Sequence, residues 1–535
     1  MQDHSGLKKE ESMKHYLKLS LVILSSLSLF FQACSSGSSK DESTKLSDKP
    51  LYQEELRPQF HFSPETNWTN DPNGMVYYEG TYHLFFQHNP VALPWGNMTW
   101  GHAVSTDMVH WEELEDAIHP DELGTIYSGT AVVDFNNSSG LQDGDEKPIV
   151  AFYTYCGPCE QFGEPGGEEP FTQAMAYSTD GGKTFIKYAG NPIIGNITGG
   201  RDRDPKVFWH EESGKWVMVL FLDHNTADQW NFDNNATDRT PKGTSFNWKY
   251  GIFNSDDLLN WEQTSELDDL ELFECPELFE LPVDGNPNNT KWVMWDAPGD
   301  YFIGEFDGKT FTRESGKHMG DFGANFYASQ TFNNIPASDG RRIQIAWMRG
   351  GEYPGMPFNQ QMSFPTENTL RTTEDGIRMF REPIQEIENL RVNNFSLSNK
   401  TIGPNEEPIQ GFKGELLDVH LEVEPRGASD FGFMTDALKV RYYVHDSILA
   451  AGPHNQQNHN ATLKLQNGRL KIRLLIDRSS MEVFGNDGRV SLSFNYNGSS
   501  SAEKGDANLR FFTNGGKVLI KSLKVYELRS IWGQS

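Results

Sequence analysis

The sequence predicts an all-β protein, a five-bladed β-propeller followed by a β-sandwich. Three observations carry that reading. The chain is 535 residues long and rich in strand formers and turn formers, with 35 Phe, 18 Tyr, 13 Trp and 49 Gly, and it has no sustained helical apolar period. Five short stretches repeat the form Asp, polar turn, aromatic: STDMVHW (105–111), STDGGKTF (178–185), SDDLLNW (255–261), FDGKTF (306–311) and EDGIRMF (374–380). Repeats of this size flanked by short strands are the signature of propeller blades, and five repeats give five blades. Beyond them the pattern changes to period-two alternation, the mark of half-buried strands.

In chain order, the N-terminus reads as an export signal. Met13, Lys14 and His15 precede an apolar core from Leu19 to Phe31, too short to span a bilayer. Phe31-Gln32-Ala33-Cys34 follows it and resembles a bacterial lipoprotein signal, which implies cleavage before Cys34 and lipidation of its thiol. Residues 1–33 are therefore expected to be a signal peptide and 34–55 a polar tether to a membrane-anchored lipoprotein. Single-chain anchors hold only marginally, so firm attachment needs more than one acyl chain.

Residues 56–386 are expected to form the propeller. Each inferred blade opens with a polar motif: Asn70-Asp71-Pro72, Tyr127-Ser128-Gly129, Arg203-Asp204-Pro205, Glu274-Cys275-Pro276 and Asn325-Phe326-Tyr327. The first strand of a propeller blade commonly lines the central channel, so these motifs should converge on one funnel. Two long insertions, 156–171 and 222–248, should be loops above it. Trp230, Phe232 and Trp248 in the second offer either a sugar platform or plain loop packing.

The Cys156-Gly157-Pro158-Cys159 stretch has the spacing of a redox pair but lacks the helix such a pair requires. It reads as either a loop-stiffening disulfide or a pair of idle thiols. Residues 387–535 should hold a polar linker, 388–410, and then the sandwich. LLDVHLEV (416–423) points Leu417, Val419, Leu421 and Val423 to one face, and LKIRLLID (470–477) repeats the device with Leu470, Ile472, Leu474 and Ile476.

The net charge of −29, without a basic cluster, argues against a nucleic-acid partner. No cluster of spaced ligands calls for a metal, and no motif calls for a cofactor. Three carboxylates stand out, Asp71, Asp204 and Glu274. Asp71 and Asp204 both precede Pro, which favours extended backbone at the acid. Arg203 adjoins Asp204, but neighbouring residues on a regular strand point to opposite faces, so their pairing is not assured. Two carboxyls flanking a sugar bond are the equipment of a glycosidase, and a third can grip ring hydroxyls. Residue types alone do not say which acid does what.

The motifs WTNDPNG, FFQHNP, WGNMTWGHA, YSG, RDRDP, FECPELFEL, NFYASQTF and IAWMRGG, together with LLIDRSSMEVFGNDGRVSLS, occur in this order. Over roughly residues 56–530 the chain resembles glycoside hydrolase family 32, the β-fructofuranosidases. The resemblance implies a metal-independent retaining hydrolase of fructans or sucrose-type fructosides on a propeller-plus-sandwich fold. It implies Asp71 as nucleophile, Glu274 as acid/base and Asp204 as transition-state stabiliser. It places Trp68, Asn70, Gln87, Trp95, Tyr127, Ser128, Arg203 and Trp347 around the terminal fructose. Asn325 stands where many relatives have Asp, in the region that reads the leaving group. Exo attack is expected because the matched motifs describe a closed terminal site. An endo-acting levanase is the alternative, and fructosyl transfer in place of hydrolysis also stays open. A non-catalytic surface fructan-binding lipoprotein would be expected to lack Asp71 or Glu274, and both are present. Preference for 2,1 or 2,6 linkages is not readable.

Overall fold

The structure is a computed structural model, and it describes residues 50–163, 166–167, 170–224, 247–268, 270–454, 458–496 and 506–532. The expected export segment, Cys34, Trp230 and Phe232 lie outside these residues. Blade 1 is β1 (Asn67–Tyr78), β2 (Thr81–Asn89), β3 (Thr99–Ser105) and β4 (Glu112–Ile118). Blade 2 is β5 (Thr125–Val133), β6 (Ile149–Cys156), β7 (Thr172–Ser178) and β8 (Ile186–Lys187). Blade 3 is β9 (Arg203–His210), β10 (Lys215–Asp223), β11 (Trp248–Ser255) and β12 (Glu262–Leu267). Blade 4 is β13 (Glu277–Val283), β14 (Asn286–Trp295), β15 (Asp300–Phe306) and β16 (Phe311–Arg313), with β17 (His318–Met319) added beside β15. Blade 5 is β18 (Tyr327–Thr331), β19 (Ile343–Trp347), β21 (Thr366–Thr373) and β22 (Gly376–Pro383), while β20 (Phe358–Asn359) pairs in parallel with β1. Blades 4 and 5 share one sheet through the bridge between Val283 and Leu370.

Strands toward the middle of the blades are buried on both faces, which is why β6 and β10 read as apolar runs rather than alternating ones. In β6, Ile149, Ala151 and Tyr153 pack toward blade 1, while Val150 and Phe152 pack toward blade 3. All five repeats sit at the turn joining the third and fourth strands of a blade, and in four of them the Asp caps that turn. Asp107 accepts from the N–H groups of Val109 and His110 (2.9 and 2.8 Å), and Asp257 does the same for Leu259 and Asn260 (3.0 and 2.8 Å). Asp180 and Asp307 cap their turns likewise. The fifth repeat also joins the last two strands of its blade, but Asp375 does not cap. There Thr373 accepts from the Asp375 N–H (3.2 Å) in a shorter turn.

The innermost strands are bonded into a ring. Gln330 of β18 accepts from the Met75 N–H of β1 (3.2 Å) and donates to the Gly129 carbonyl of β5 (2.9 Å). Thr130 of β5 donates to the Pro205 carbonyl (3.0 Å) and accepts from the Val207 N–H (2.8 Å) of β9. Lys206 of β9 meets Glu277 of β13 at 2.9 Å, and Glu277 accepts the Thr331 hydroxyl of β18 at 2.8 Å. Ser128 of β5 donates to Asp71 of β1 (2.6 Å), so every inner strand holds both neighbours.

Two boundaries differ from the sequence reading. Glu54 is fully buried and paired with Arg57 (2.7 Å), whose guanidinium lies 3.7 Å over Phe358, and Tyr52 stacks on Trp532 at 4.2 Å. The folded body thus begins ahead of residue 56. The stretch expected as a linker is mostly a strand, Arg391–Ile402, antiparallel to Lys517–Leu528. It is an edge strand with mostly exposed side chains, so its polar composition resembles a loop. The expected alternation downstream holds. Leu417, Val419, Leu421 and Val423 share the sandwich core with Leu470, Ile472, Leu474 and Ile476, between a six-stranded and a five-stranded sheet.

The sandwich is docked on the propeller through buried polar contacts. His61, ahead of β1, lies between Asp477 and Glu482 of the sandwich, 2.8 Å from each. Burial by itself would lower the His61 pKa, but the two carboxylates outweigh it and raise the value from 6.5 to about 9. A raised folded-state pKa gives stability that is complete below the unfolded value and lost as pH climbs through the folded one. His61→Gln is expected to cost about 3–5 kcal/mol at pH 6, since it leaves buried carboxylates uncompensated. Denaturant melts across a pH series should show that deficit shrinking toward pH ~9, and a deficit constant with pH would exclude this account.

Candidate active site

The polar motifs converge as expected, but through irregular backbone. Between the register pairs Thr69 with His88 and Pro72 with Phe86, two residues of β1, Asn70 and Asp71, face the one residue Gln87 of β2. The same surplus occurs in β5, where Tyr127 and Ser128 face Thr154, and in β9, where Asp204 and Pro205 face Leu220. In β18 the surplus pair is Ala328 and Ser329. These are β-bulges, which re-aim side chains that a regular strand would send to alternate faces. Positive φ at Asp204 (63°), Cys275 (48°) and Ala328 (48°) marks the same distortion in three inner strands or their entries. Gly129 of the YSG motif follows its bulge so closely that a Cβ there would lie 1.9 Å from the Phe152 carbonyl oxygen. No side chain could occupy that position.

The bulges gather the three acids. Ser128 Oγ donates to Asp71 Oδ2 (2.6 Å), and Asn70 Nδ2 donates to Oδ1 (3.1 Å). Trp68 Nε1 donates in turn to Asn70 Oδ1 (2.8 Å), which orients the amide. Asp204 accepts the Cys275 N–H at 3.1 Å. Arg203 binds Glu274 Oε2 through Nη2 (2.5 Å) and Nε (2.9 Å), and its Nε also lies 3.5 Å from Asp204 Oδ2. The bulge at Asp204 is what lets neighbours in sequence share one side. The Arg203 guanidinium rests on the Phe221 ring at 4.5 Å, which fixes its plane.

Two residues complete the cluster beyond those the sequence singled out. Tyr327 donates its hydroxyl to Glu274 Oε1 at 2.5 Å. Its signal in the sequence was the NFYASQTF motif, although nothing there separates Tyr327 from Asn325. Cys275 places its thiol 3.5 Å from Asp204 Oδ2 and 3.7 Å from Asp71 Oδ2. Burial and the surrounding carboxylates hold the Cys275 thiol and the Tyr327 phenol well above their ordinary pKa values, so both keep their protons and act as donors.

The remaining residues form the walls. Trp347 meets Trp68 edge to face at 6.0 Å and Tyr327 at 6.1 Å, with its Nε1 bonded to Gln360 (3.0 Å). Trp95 meets Tyr127 at 6.1 Å. Asn325 has a further task that the sequence did not show. It donates to the Arg349 carbonyl (2.6 Å) and accepts the Asn495 N–H (2.9 Å), so it ties the site's edge to the sandwich. Trp248 packs on Phe273 at 4.8 Å, which favours the loop-packing alternative over a free platform. Cys156 and Cys159 form a disulfide, and the Cys159 sulfur lies 3.1 Å from the Tyr127 hydroxyl.

Crowding three carboxyls in a buried site has an electrostatic consequence. Burial raises Asp71, opposed by the Ser128 hydrogen bond and reinforced by the Glu274 charge. Burial likewise raises Asp204, against the pull of Arg203 and with the push of Glu274 and Asp71, up to about 7. The arrangement can present a carboxylate to an electrophilic carbon, a second acid group to a leaving oxygen, and a third to neighbouring hydroxyls. Among the described residues no group of His, Cys, Asp and Glu is arranged to hold a metal ion.

Comparison with known proteins agrees with this geometry. The model of the glycosyl hydrolases family 32 N-terminal domain matches residues 61–383, and that of the family 32 C-terminal domain matches residues 386–527. A levanase of Bacillus subtilis is 39% identical over 533 residues, covering 92% of this chain and 73% of its own. The crystal structure of an exo-inulinase from Aspergillus awamori superposes with a TM-score of 0.75 at 30% identity, covering 90% of this chain and 100% of that one. A fructofuranosidase from Schwanniomyces occidentalis, solved with fructosylnystose, gives a TM-score of 0.75 at 27% identity over 90% of this chain and 99% of its own. With both domain models matched in sequence and the fold matched along nine-tenths of its length, the chain belongs to glycosyl hydrolases family 32.

Proposed function

We propose that the protein is a β-fructofuranosidase that hydrolyses fructans or sucrose-type fructosides with retention, releasing fructose from the non-reducing end. The observation that carries this reading is the meeting of Asp71, Asp204 and Glu274 around Arg203 and Cys275 at one end of the inner-strand ring. The relatives named above, a levanase, an exo-inulinase and a fructofuranosidase, support the substrate class.

In this mechanism a carboxylate oxygen of Asp71 attacks the anomeric carbon. The glycosidic C–O bond breaks, its electron pair stays on the leaving oxygen, and Glu274 supplies that oxygen with a proton. Water then attacks the same carbon, gives its proton to Glu274, and frees Asp71. Two inversions return the original configuration. Asp204 accepts hydrogen bonds from ring hydroxyls and opposes the positive charge that builds on the sugar. Arg203 and Tyr327 fix Glu274 in place. Asp71 has its own holders in Ser128 and Asn70, so the two working acids are positioned independently.

We also infer that Cys34 carries the lipid anchor of an exported lipoprotein. The apolar core from Leu19 to Phe31 and the small residue before Cys34 support this reading. Fatty-acid labelling of Cys34→Ser should lose the label and release the protein from the membrane fraction. Retained label would refute the anchor.

Asp71→Ala and Glu274→Ala should each cut turnover on fructan by about 10,000-fold without unfolding the chain. Glu274→Ala should recover on fructosides with a good leaving group, because such a group departs without a proton. Near-normal rates for Asp71→Ala would remove it as nucleophile. On levan and inulin, fructose should be the sole early product. Early oligosaccharides would favour the endo alternative. Asp204→Asn should lose activity and yet melt at a higher temperature than the wild type at pH 8. The raised Asp204 pKa means the native state binds a proton that the unfolded chain has released, so wild-type stability declines as pH rises from the ordinary carboxylate range to about 7. The melting advantage of the variant should therefore be small at pH ~4 and grow to pH ~8.

A further inference from the structure

The insertion at 156–171 carries features that the hydrolytic step does not use. Strand β6 ends at Cys156, paired with Thr125 at the start of β5, and Cys159 returns by its disulfide to the Tyr127 hydroxyl. The Gly167 N–H closes back on the Gly157 carbonyl at 2.8 Å. Gly124 lies so near this turn that a Cβ would sit 2.3 Å from the Cys156 carbonyl oxygen. The Phe162 N–H donates to the side chain of Asn97, two residues after Trp95. The loop is thus pinned at both ends, to Tyr127 and to the Trp95 loop, and Tyr127 immediately precedes the serine that holds Asp71.

Depth separates this rim from the acids. Asp204 is 6% exposed, whereas Trp95 is 38% and Phe162 is 49% exposed. A terminal sugar gripped by the buried carboxyls must send the rest of its chain outward past such groups. Exposed rings offer flat apolar surface to the C–H face of a sugar, and exposure of a Phe on a loop fastened this firmly otherwise costs solvation without return.

We propose that the loop of residues 156–163, stapled at its start by the Cys156–Cys159 disulfide, forms with Trp95 and Tyr127 an aromatic rim that binds the second and later sugar residues of an oligomeric fructoside. The rim selects chain length and leaves the cleavage step alone, and the disulfide is the positioning element that keeps Phe162 and Tyr127 on station. The inference rests on the fructoside-hydrolase reading above and deepens it.

Steady-state kinetics on two substrates test it: methyl β-D-fructofuranoside, which has no second ring, and a linear fructo-tetraose. Phe162→Ala and the paired change Cys156→Ser with Cys159→Ser should each raise KM for the tetraose by about fivefold, the effect of losing roughly one aromatic contact, with kcat nearly unchanged. The same variants should leave kcat/KM on the methyl fructoside within about twofold of the wild type. A phosphine reductant should reproduce the KM rise in the wild type and do nothing further to the paired Cys variant. Equal losses on both substrates would show a deformed catalytic pocket and overturn the proposal, as would an unchanged KM for the tetraose in Phe162→Ala. Should the paired Cys variant fail to fold, Phe162→Ala, at an exposed side chain, carries the test alone. A wild type that leaves both substrates intact would instead overturn the hydrolase reading, and this inference with it.

Discussion

The closed ring of five inner strands is the constraint on which the rest of the molecule depends. Gln330, Thr130, Lys206 and Glu277, with the Ser128–Asp71 bond, link each strand to the next through buried groups that must be satisfied. Closure fixes the strands' relative heights, and the site is assembled from their first residues. Asp71 and Ser128 lie four positions or fewer into β1 and β5, Arg203 and Asp204 open β9, Glu274 lies three residues ahead of β13, and Tyr327 opens β18. Acids that are 133 and 70 residues apart along the chain (204 − 71 and 274 − 204) thereby reach one point without any flexible segment having to bring them there.

Bulges convert that frame into chemistry. A regular strand can offer only alternate residues to the funnel, so Asn70 with Asp71, or Arg203 with Asp204, could not both serve it. An extra residue in each of β1, β5, β9 and β18 removes the restriction. The cost is strained backbone at Asp204, Cys275 and Ala328, held by packing in the blades on either side. The site also concentrates negative charge where water is scarce. Arg203 compensates Glu274 and Asp204, while Cys275 and Tyr327 add donors that do not titrate near neutrality. Stability given up here is recovered in the apolar interfaces between blades, where sheets are covered on both faces.

The sandwich contributes to the site at one remove. Its Asn495 N–H donates to Asn325, at the edge of the pocket, while Asp477 and Glu482 grip His61 ahead of β1. Docking of the second domain therefore holds the blade that carries Asp71 and the segment that leads to Tyr327. On the opposite rim the disulfide loop does the comparable work for Tyr127.

The sequence by itself determined the class of structure and the chemical parts. Propeller turns recur because an Asp that caps a backbone turn is a local device, legible in a few residues, and sandwich strands alternate because each buries one face. The motif order marked Asp71, Asp204 and Glu274 for the same reason that turns are legible, since the unusual residue types stand together in the chain. The edge strand Arg391–Ile402 was not legible, because an exposed strand has no apolar pattern to show. Neither were the Arg203 bridge between two acids, the thiol of Cys275 between Asp71 and Asp204, nor the tie from Asn325 to Asn495. Only the tertiary structure decided those, because they depend on which way a bulged residue faces and on how far around a closed ring its neighbours lie. Neither quantity is carried by any local stretch of sequence.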